Sequence, residues 1–248
     1  MFGLDWLIAR PVAHRGLHDA ARSVIENTPS AFAAAVAANY AIECDLQISA
    51  DGEAMVHHDE ELGRLTESNS QLDAMTAADL KRVRFRGTAD RMITAGELCD
   101  LVAGRVPLVI ELKSRFNGDL RIVSRAAAVF SAYPGPAALM SFDPAQIAAL
   151  RTIAPALPRG IVAESRYRDH DWDQLSAGAK RALAYFRHAL DTRPRFIAYS
   201  VKDLPAAIPV AARQIFGLPL LTWTVRTAEN RQRAARWADQ MIFEGFRP

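Results

Sequence analysis

Residues 41–49 read AIECDLQIS and residues 106–113 read VPLVIELK. Both are nearly continuous apolar runs, as expected of strands buried on two faces. Both are interrupted in the same way. Glu43 and Asp45 stand two apart, with Ile42, Cys44 and Leu46 at the alternate positions. Glu111 and Lys113 also stand two apart, with Leu108, Ile110 and Leu112 at the alternate positions. A strand has a period of two, so each polar pair points to one side, the interior of whatever the strands enclose. An ionised carboxylate turned into a core is costly unless it is paired or binds a metal. Two arrangements meet that cost. One is an oxygen-lined cation site with an ammonium beside it; the other is an internal network in which Lys113 pairs with Glu111 and Asp45.

Working outward, the same alternation of β-rich and helical runs fills the chain. Strands are predicted at Val12–Gly16, Ala41–Ser49, Val106–Lys113, Ala137–Phe142, Arg159–Glu164, Arg195–Val201, Pro219–Val225 and Gln240–Glu244. Alanine-rich helical runs separate most of them. Thr28-Pro29 and Asp143-Pro144 offer a capping residue followed by proline at the first helical position. Thr76–Asp79 and Thr94–Glu97 have the spacing of capping boxes. Strands alternating with helices predict a parallel sheet, and eight such units in 248 residues predict an α/β (β/α)₈ TIM barrel of one domain, residues 1–248. An open doubly wound sheet is the competing architecture. Residues 59–92 form a longer, more polar connection after the second strand, read as a small inserted cap over the barrel mouth.

The histidines decide what the polar pairs are for. His14 ends the first strand in VAHRG, and His57 and His58 end the short run Ala54-Met55-Val56. Histidines at strand ends beside a carboxylate cluster suggest a general acid and a general base. His18, His170 and His188 fall in loop or helical surroundings and are given no role.

Composition narrows the class. Half the residues are apolar and the net charge is +2, with the basic residues scattered, so no nucleic acid partner is expected. Cys44 and Cys99 lie inside apolar runs and read as buried free thiols. No run approaches the roughly 20 apolar residues of a membrane span. The start, MFGLDWLIARP, lacks a basic region and a cleavage site, so the expected compartment is the cytoplasm.

The ordered set His14-Arg15-Gly16, Glu26-Asn27-Thr28 with Ala31-Phe32, Ile42–Asp45, Asp51-Gly52, His58-Asp59, Ile110–Lys113, Trp223–Val225 and Ala238–Gln240 resembles the glycerophosphodiester phosphodiesterases. The resemblance spans nearly the whole chain. It implies a (β/α)₈ barrel with a small insertion after the second strand, and hydrolysis of a small-molecule glycerophosphodiester to glycerol phosphate and an alcohol. It implies Glu43, Asp45 and Glu111 as ligands of one divalent cation, Mg²⁺ or Ca²⁺, which all-oxygen ligation suits. His14 and His58 match the acid–base pair, with Asp59 choosing His58 over His57. Arg15 and Lys113 match phosphate-contacting cations, and Trp223 matches an aromatic near the alcohol. Glu26 and Asn27 belong to a motif that could equally order a loop.

Two positions depart from the family, and the segment Glu164–Asp173, with Arg166, Arg168 and His170, has no counterpart in it and reads as a solvated loop. Asn39-Tyr40 stands where a glycine usually precedes the second strand. Ile242-Phe243-Glu244-Gly245-Phe246 replaces a Thr-Asp followed closely by proline, which leaves the last loop unassigned. Membrane-acting phospholipases use similar histidine pairs but need an apolar docking rim, and no connection here offers one. No stable membrane association is therefore expected. A non-catalytic barrel that binds phosphate esters would not need a matched acid and base.

Overall fold

The computed structural model describes residues 3–248. Its strands are β1 (Val12–Ala13), β2 (Ala41–Ile48), β3 (Ala54–Val56), β4 (Leu108–Leu112), β5 (Ala137–Ser141), β6 (Arg159–Ala163), β7 (Phe196–Ser200), β8 (Leu220–Val225) and β9 (Gln240–Phe243). Every strand except β3 is parallel to its neighbours, in the order β1-β2-β4-β5-β6-β7-β8-β9, and β9 pairs back onto β1. The result is a closed eight-stranded parallel barrel with helices outside it, a (β/α)₈ TIM barrel. β3 is an extra strand, antiparallel to the end of β2 through Leu46↔Val56 and Ile48↔Ala54.

One apolar cluster draws a residue from every barrel strand, including Val12, Ala41, Val109, Met140, Val162, Ala198, Leu221 and Ile242. Only the lumen is shared by all eight strands, so these residues mark the inward register. Leu4, just before the short helix Asp5–Ile8, and Leu7 within it join the cluster, and Gln240 Nε2 donates to the Ile8 carbonyl at 3.0 Å. The helix thereby closes the end of the barrel at which the strands begin. Phe196 fills the lumen beside Gly160, where a Cβ would come within 2.4 Å of the Phe196 ring. The alternate residues, such as Ile42, Leu108, Ile110 and Leu139, pack outward in the layer shared with the helices.

The helix starts follow local chemistry. Thr94 and Glu97 form a reciprocal capping box, Asp143 accepts from Ala145 N at 2.9 Å, and Thr76 accepts from Asp79 N at 3.2 Å. Thr28 is the exception: its hydroxyl donates to the Ile25 carbonyl at 2.7 Å instead of capping helix Pro29–Ala37. Asn39 takes φ +59, which asparagine tolerates better than other side chains, so the missing glycine before β2 costs little. Both cysteines are buried and free.

Residues between β3 and helix Ala95–Val102 fold over a satellite core of Met55, Leu62, Leu72, Leu80, Phe85 and Met92. That core rests on Met55 of β3, which ties the excursion to the end of β2. Among the described residues no helix is long and apolar enough to cross a membrane.

Candidate active site

The inward register continues past each strand's last residue to the mouth of the barrel, where such enzymes build their sites. β1 aims His14 inward two residues after Val12, β2 aims Glu43 and Asp45, and β4 aims Glu111 and Lys113. The β2–β4 register sets Asp45 beside Glu111, and all three carboxylates are buried. One oxygen from each of Glu43, Asp45 and Glu111 lies within 4.8 Å of the others.

The link from β1 to its helix aims two groups. Arg15 takes φ +54, and its amide donates to Glu43 Oε2 at 3.0 Å. Gly16 follows at φ +80, where a Cβ would sit 2.9 Å from Ala31, so only glycine lets the loop pass. The Arg15 guanidinium then reaches Glu26 at 2.7 Å and approaches Asp45 at 3.2 Å. Asn27, also left-handed at φ +56, donates to Asp45 Oδ2 at 2.8 Å and accepts from the Asp45 amide. Glu26 and Asn27 therefore order the loop and brace a carboxylate together.

Each histidine of interest has a carboxylate at Nδ1. His14 meets Glu244 at 2.8 Å and His58 meets Asp59 at 2.8 Å. A carboxylate can only accept, so Nδ1 carries the proton and Nε2 is left to face the mouth. His14 Nε2 is 3.9 Å from Glu43. His57 points the other way, as its neighbour's register requires. It is buried beside Phe85 in the satellite core, and burial pushes its pKa down to about 4.

Glu244 and Asp59 are themselves held. Arg226 donates to Glu244 at 2.8 Å, and Arg64 bridges Asp59 and Glu26, each at 2.7 Å. Glu244 was not singled out from the sequence, although its spacing of two from the inward Ile242 carries the signal that identified Glu43 and Glu111. The divergent last strand thus keeps an acid where it can hold His14. Trp223 lies on β8, packed edge-on against Phe142 with ring centroids 5.4 Å apart.

Lys113 bridges Asp45 at 2.9 Å and Glu111 at 2.7 Å, so the internal network anticipated as one alternative does form. It leaves Glu43 over. Burial first, then Asp45 and Glu111, pushes the Glu43 carboxyl well above its ordinary value. Burial would raise Asp45 too, but the charges of Lys113, His58, Arg15 and His14 overcome it and hold that carboxyl well below. Burial opposes charge on Lys113, yet Asp45 and Glu111 raise it above its ordinary value. The residues fit a divalent cation. Two oxygens on one Mg²⁺ lie at most about 4.2 Å apart and on one Ca²⁺ about 5 Å, so three donors within 4.8 Å span one ion. An ion there would also meet the surplus charge of Glu43.

The profile of the glycerophosphoryl diester phosphodiesterase family matches residues 14–246. No curated protein matches the chain. A phosphodiesterase of Oleispira antarctica, solved in complex with the product sn-glycerol-3-phosphate, superposes with a TM-score of 0.76 at 16% identity, over 94% of this chain and 91% of that one. A Silicibacter pomeroyi protein named for glycerophosphoryl diester phosphodiesterase activity gives 0.76 at 25% identity, over 98% and 93%. The Thermotoga maritima glycerophosphodiester phosphodiesterase gives 0.69 at 22% identity, over 94% of each chain. The structural likenesses carry the fold, and the profile spans the three carboxylates, Lys113 and both histidines. The chain therefore belongs to the glycerophosphoryl diester phosphodiesterase family and is an enzyme of that kind.

Proposed function

We propose that the chain acts as one catalytic domain, the inserted segment included, and hydrolyses glycerophosphodiesters to sn-glycerol 3-phosphate and an alcohol. His14 and His58 work as acid and base, and Glu43, Asp45 and Glu111 hold one divalent cation, Mg²⁺ or Ca²⁺. The observation that carries this reading is the pair of histidines, each anchored at Nδ1 by a carboxylate, beside three buried carboxylates. The Oleispira relative was solved with sn-glycerol-3-phosphate, which supports the same product here.

When bound, the cation supplies Lewis acidity toward a phosphoryl oxygen. The chain's own groups do the rest. Lys113 and Arg15 bring fixed positive charge to the side where charge grows on the non-bridging oxygens. Burial holds the His14 ring below its ordinary pKa against the pull of Glu244, so its Nε2 has a free lone pair at neutral pH. His14 is accordingly the base in the first step, taking a proton from the nucleophile, either water or the glycerol hydroxyl next to the phosphate. His58, with Asp59 behind it to stabilise an imidazolium, protonates the leaving oxygen.

The substrates are water-soluble and deacylated. Five of the six exposed large apolar side chains among the described residues, Ile153, Tyr185, Leu190, Ile215 and Phe216, lie at or beyond helix ends that lead back to strand starts, away from the mouth; Leu120, before helix Arg121–Ala132, is on the mouth side. One such side chain is not a docking rim, which favours a soluble ester over a bilayer lipid. The test is release of glycerol 3-phosphate from glycerophosphocholine with and without EDTA, beside lysophosphatidylcholine at equal concentration. Release that persists under EDTA, or faster cleavage of the acylated lipid, overturns the respective part of this reading.

A further inference from the structure

The carboxylates, Lys113 and His14 occupy only the β9-β1-β2-β4 side of the mouth. On the other side the inward register brings up Phe142 after β5, Glu164 after β6, Ser200 at the end of β7 and Trp223 on β8. β6 lies opposite β1 in the ring of eight, so Glu164 stands across the mouth from His14. Phe142 meets Trp223 edge-on at 5.4 Å and Trp172 at 4.7 Å, and Trp172 is backed by Tyr167 at 5.0 Å. Phe142, Trp223 and Glu164 are all partly exposed, whereas Tyr167 and Trp172 are buried behind them.

Glu164 differs from the acids on the charged side of the mouth. Asp45, Glu111 and Glu244 each have a lysine or arginine partner, and Glu43 has the Arg15 amide. Among the described residues Glu164 has no cationic partner. Its amide donates to the Tyr167 hydroxyl at 3.4 Å, and the charges that act most strongly on its carboxylate are Asp169 and Asp203, both negative. Asp203 is fixed in turn by the Ser165 amide at 2.8 Å. A partly buried carboxylate with anionic neighbours and aromatic walls is a site built for a positive charge that the chain does not supply. Aromatic faces attract a cation through the ring quadrupole, and they suit one whose surface is methylated, because it needs no hydrogen-bond acceptors of its own.

We propose that Phe142, Trp223 and Glu164 form the subsite for the alcohol, and that this alcohol carries a quaternary ammonium. Trp172 is the ring behind Phe142 that backs this wall. The assignment of the bound group as the leaving alcohol rests on the phosphodiesterase reading above. A phosphate held on the β1-β2-β4 side directs one ester arm across the mouth, and Glu164 with its aromatic walls is what that arm meets.

Choline and 3,3-dimethylbutan-1-ol have the same shape, and only choline is charged. Titrated against the whole protein with tryptophan fluorescence or calorimetry as the readout, choline should bind at least about tenfold more tightly, the equivalent of about 1.4 kcal/mol. Glu164→Gln keeps the shape of the side chain without its charge and should erase the difference; Phe142→Leu, which removes a wall and not the charge, should reduce it. The matching kinetic measurement compares kcat/KM for glycerophosphocholine with that for the 3,3-dimethylbutyl diester of the same glycerol phosphate, and the ratio should fall in both variants. Equal binding of the two alcohols, or a preference that survives in a folded Glu164→Gln protein, overturns the subsite. If choline is preferred through Glu164 while neither diester is cleaved, the subsite stands and the proposed reaction falls.

Discussion

The two sides of the barrel mouth obey one register and end in opposite states. On the β9-β1-β2-β4 side, charge is answered by charge: Lys113 bridges Asp45 and Glu111, Arg15 reaches Glu26, and Arg226 holds Glu244. On the β5–β8 side, rings pack edge to face around one carboxylate that has no cation. The first side pairs its buried ions, with only Glu43 left over. The second is walled by aromatic side chains. The difference teaches where each kind of energy goes: preorganised charge toward the phosphate, shape and an unanswered charge toward the rest of the substrate.

The comparison breaks most sharply if the charged side is unmade. Glu43→Gln, Asp45→Asn or removal of divalent ions by EDTA should bring hydrolysis to background with the fold intact. Glu43→Gln should even raise the melting temperature of the ion-free protein, since burial and its two neighbours already push Glu43 toward protonation, whereas Asp45→Asn should lower it, because Lys113 and Arg15 lose a partner they share. Near-normal turnover of either variant at limiting Mg²⁺ or Ca²⁺ would show that these acids do not hold the ion. His14→Ala and His58→Ala should each lower turnover by about 10²–10⁴, while His57→Ala should leave it within a small factor. An inactive His57 variant beside an active His58 variant would reverse the assignment.

Next in size is the support beneath His14. Glu244→Gln presents an amide that can offer either an oxygen or an N–H to Nδ1, so the ring is no longer confined to the tautomer with Nε2 free. We expect kcat to fall by roughly 10²–10⁴ with KM little changed, and Glu244→Asp to recover part of it. A rise in KM with kcat preserved would mean that Glu244 meets substrate instead of positioning the base.

Much of this was legible in the sequence, and the limits are instructive. The period-two rule applied to residues 41–49 and 106–113 found the three carboxylates and Lys113, because a charge facing a lumen stands out within one strand. The same rule applied to Ile242 and Val162 leads to Glu244 and Glu164, the last residues of their predicted strands, but each is a single charge on its inward face and not one of a pair two apart. The contacts of Asn27 with Asp45 and of Arg64 with Glu26 were beyond reach for another reason. Asn27 is 18 residues away from Asp45 and Arg64 is 38 residues from Glu26, and no local pattern encodes contacts made only when the barrel closes. The nine-stranded count also escaped, since three residues of β3 pair only because β2 runs on past the barrel wall.

A smaller effect sharpens the contrast from the inserted segment, where Arg64 clamps both Asp59 and Glu26. Arg64→Ala frees the carboxylate behind His58 without touching the ring. Turnover should drop by about tenfold, the lower range for a residue that only orients a functional group. Loss of the effect in a His58→Ala background would show that it runs through that histidine; an additive loss would show that it does not.

The smallest expected effect is on stability, and its sign follows from Glu26. Burial would raise this carboxyl, but Arg64 and Arg15 overcome it and bring the folded value down to about 2, from an ordinary value of 4.5. A depressed folded value means the ionised form is favoured by folding. The contribution is therefore fully present above about pH 4.5 and is lost as the pH falls through the folded value near 2. Glu26→Gln lacks it at every pH. Since Arg64 is nearly half exposed, solvent screening keeps the worth of the clamp small, about 1 kcal/mol, or about 2–4 °C in melting temperature for a chain of this length. Melting curves of wild type and Glu26→Gln should accordingly be separated by that amount at pH 7 and converge as the pH drops from 4.5 toward 2. A gap that stays constant across that range would mean Glu26 contributes through packing of the loop, and that the ion pairs binding the inserted segment to the charged side of the mouth hold little free energy of their own.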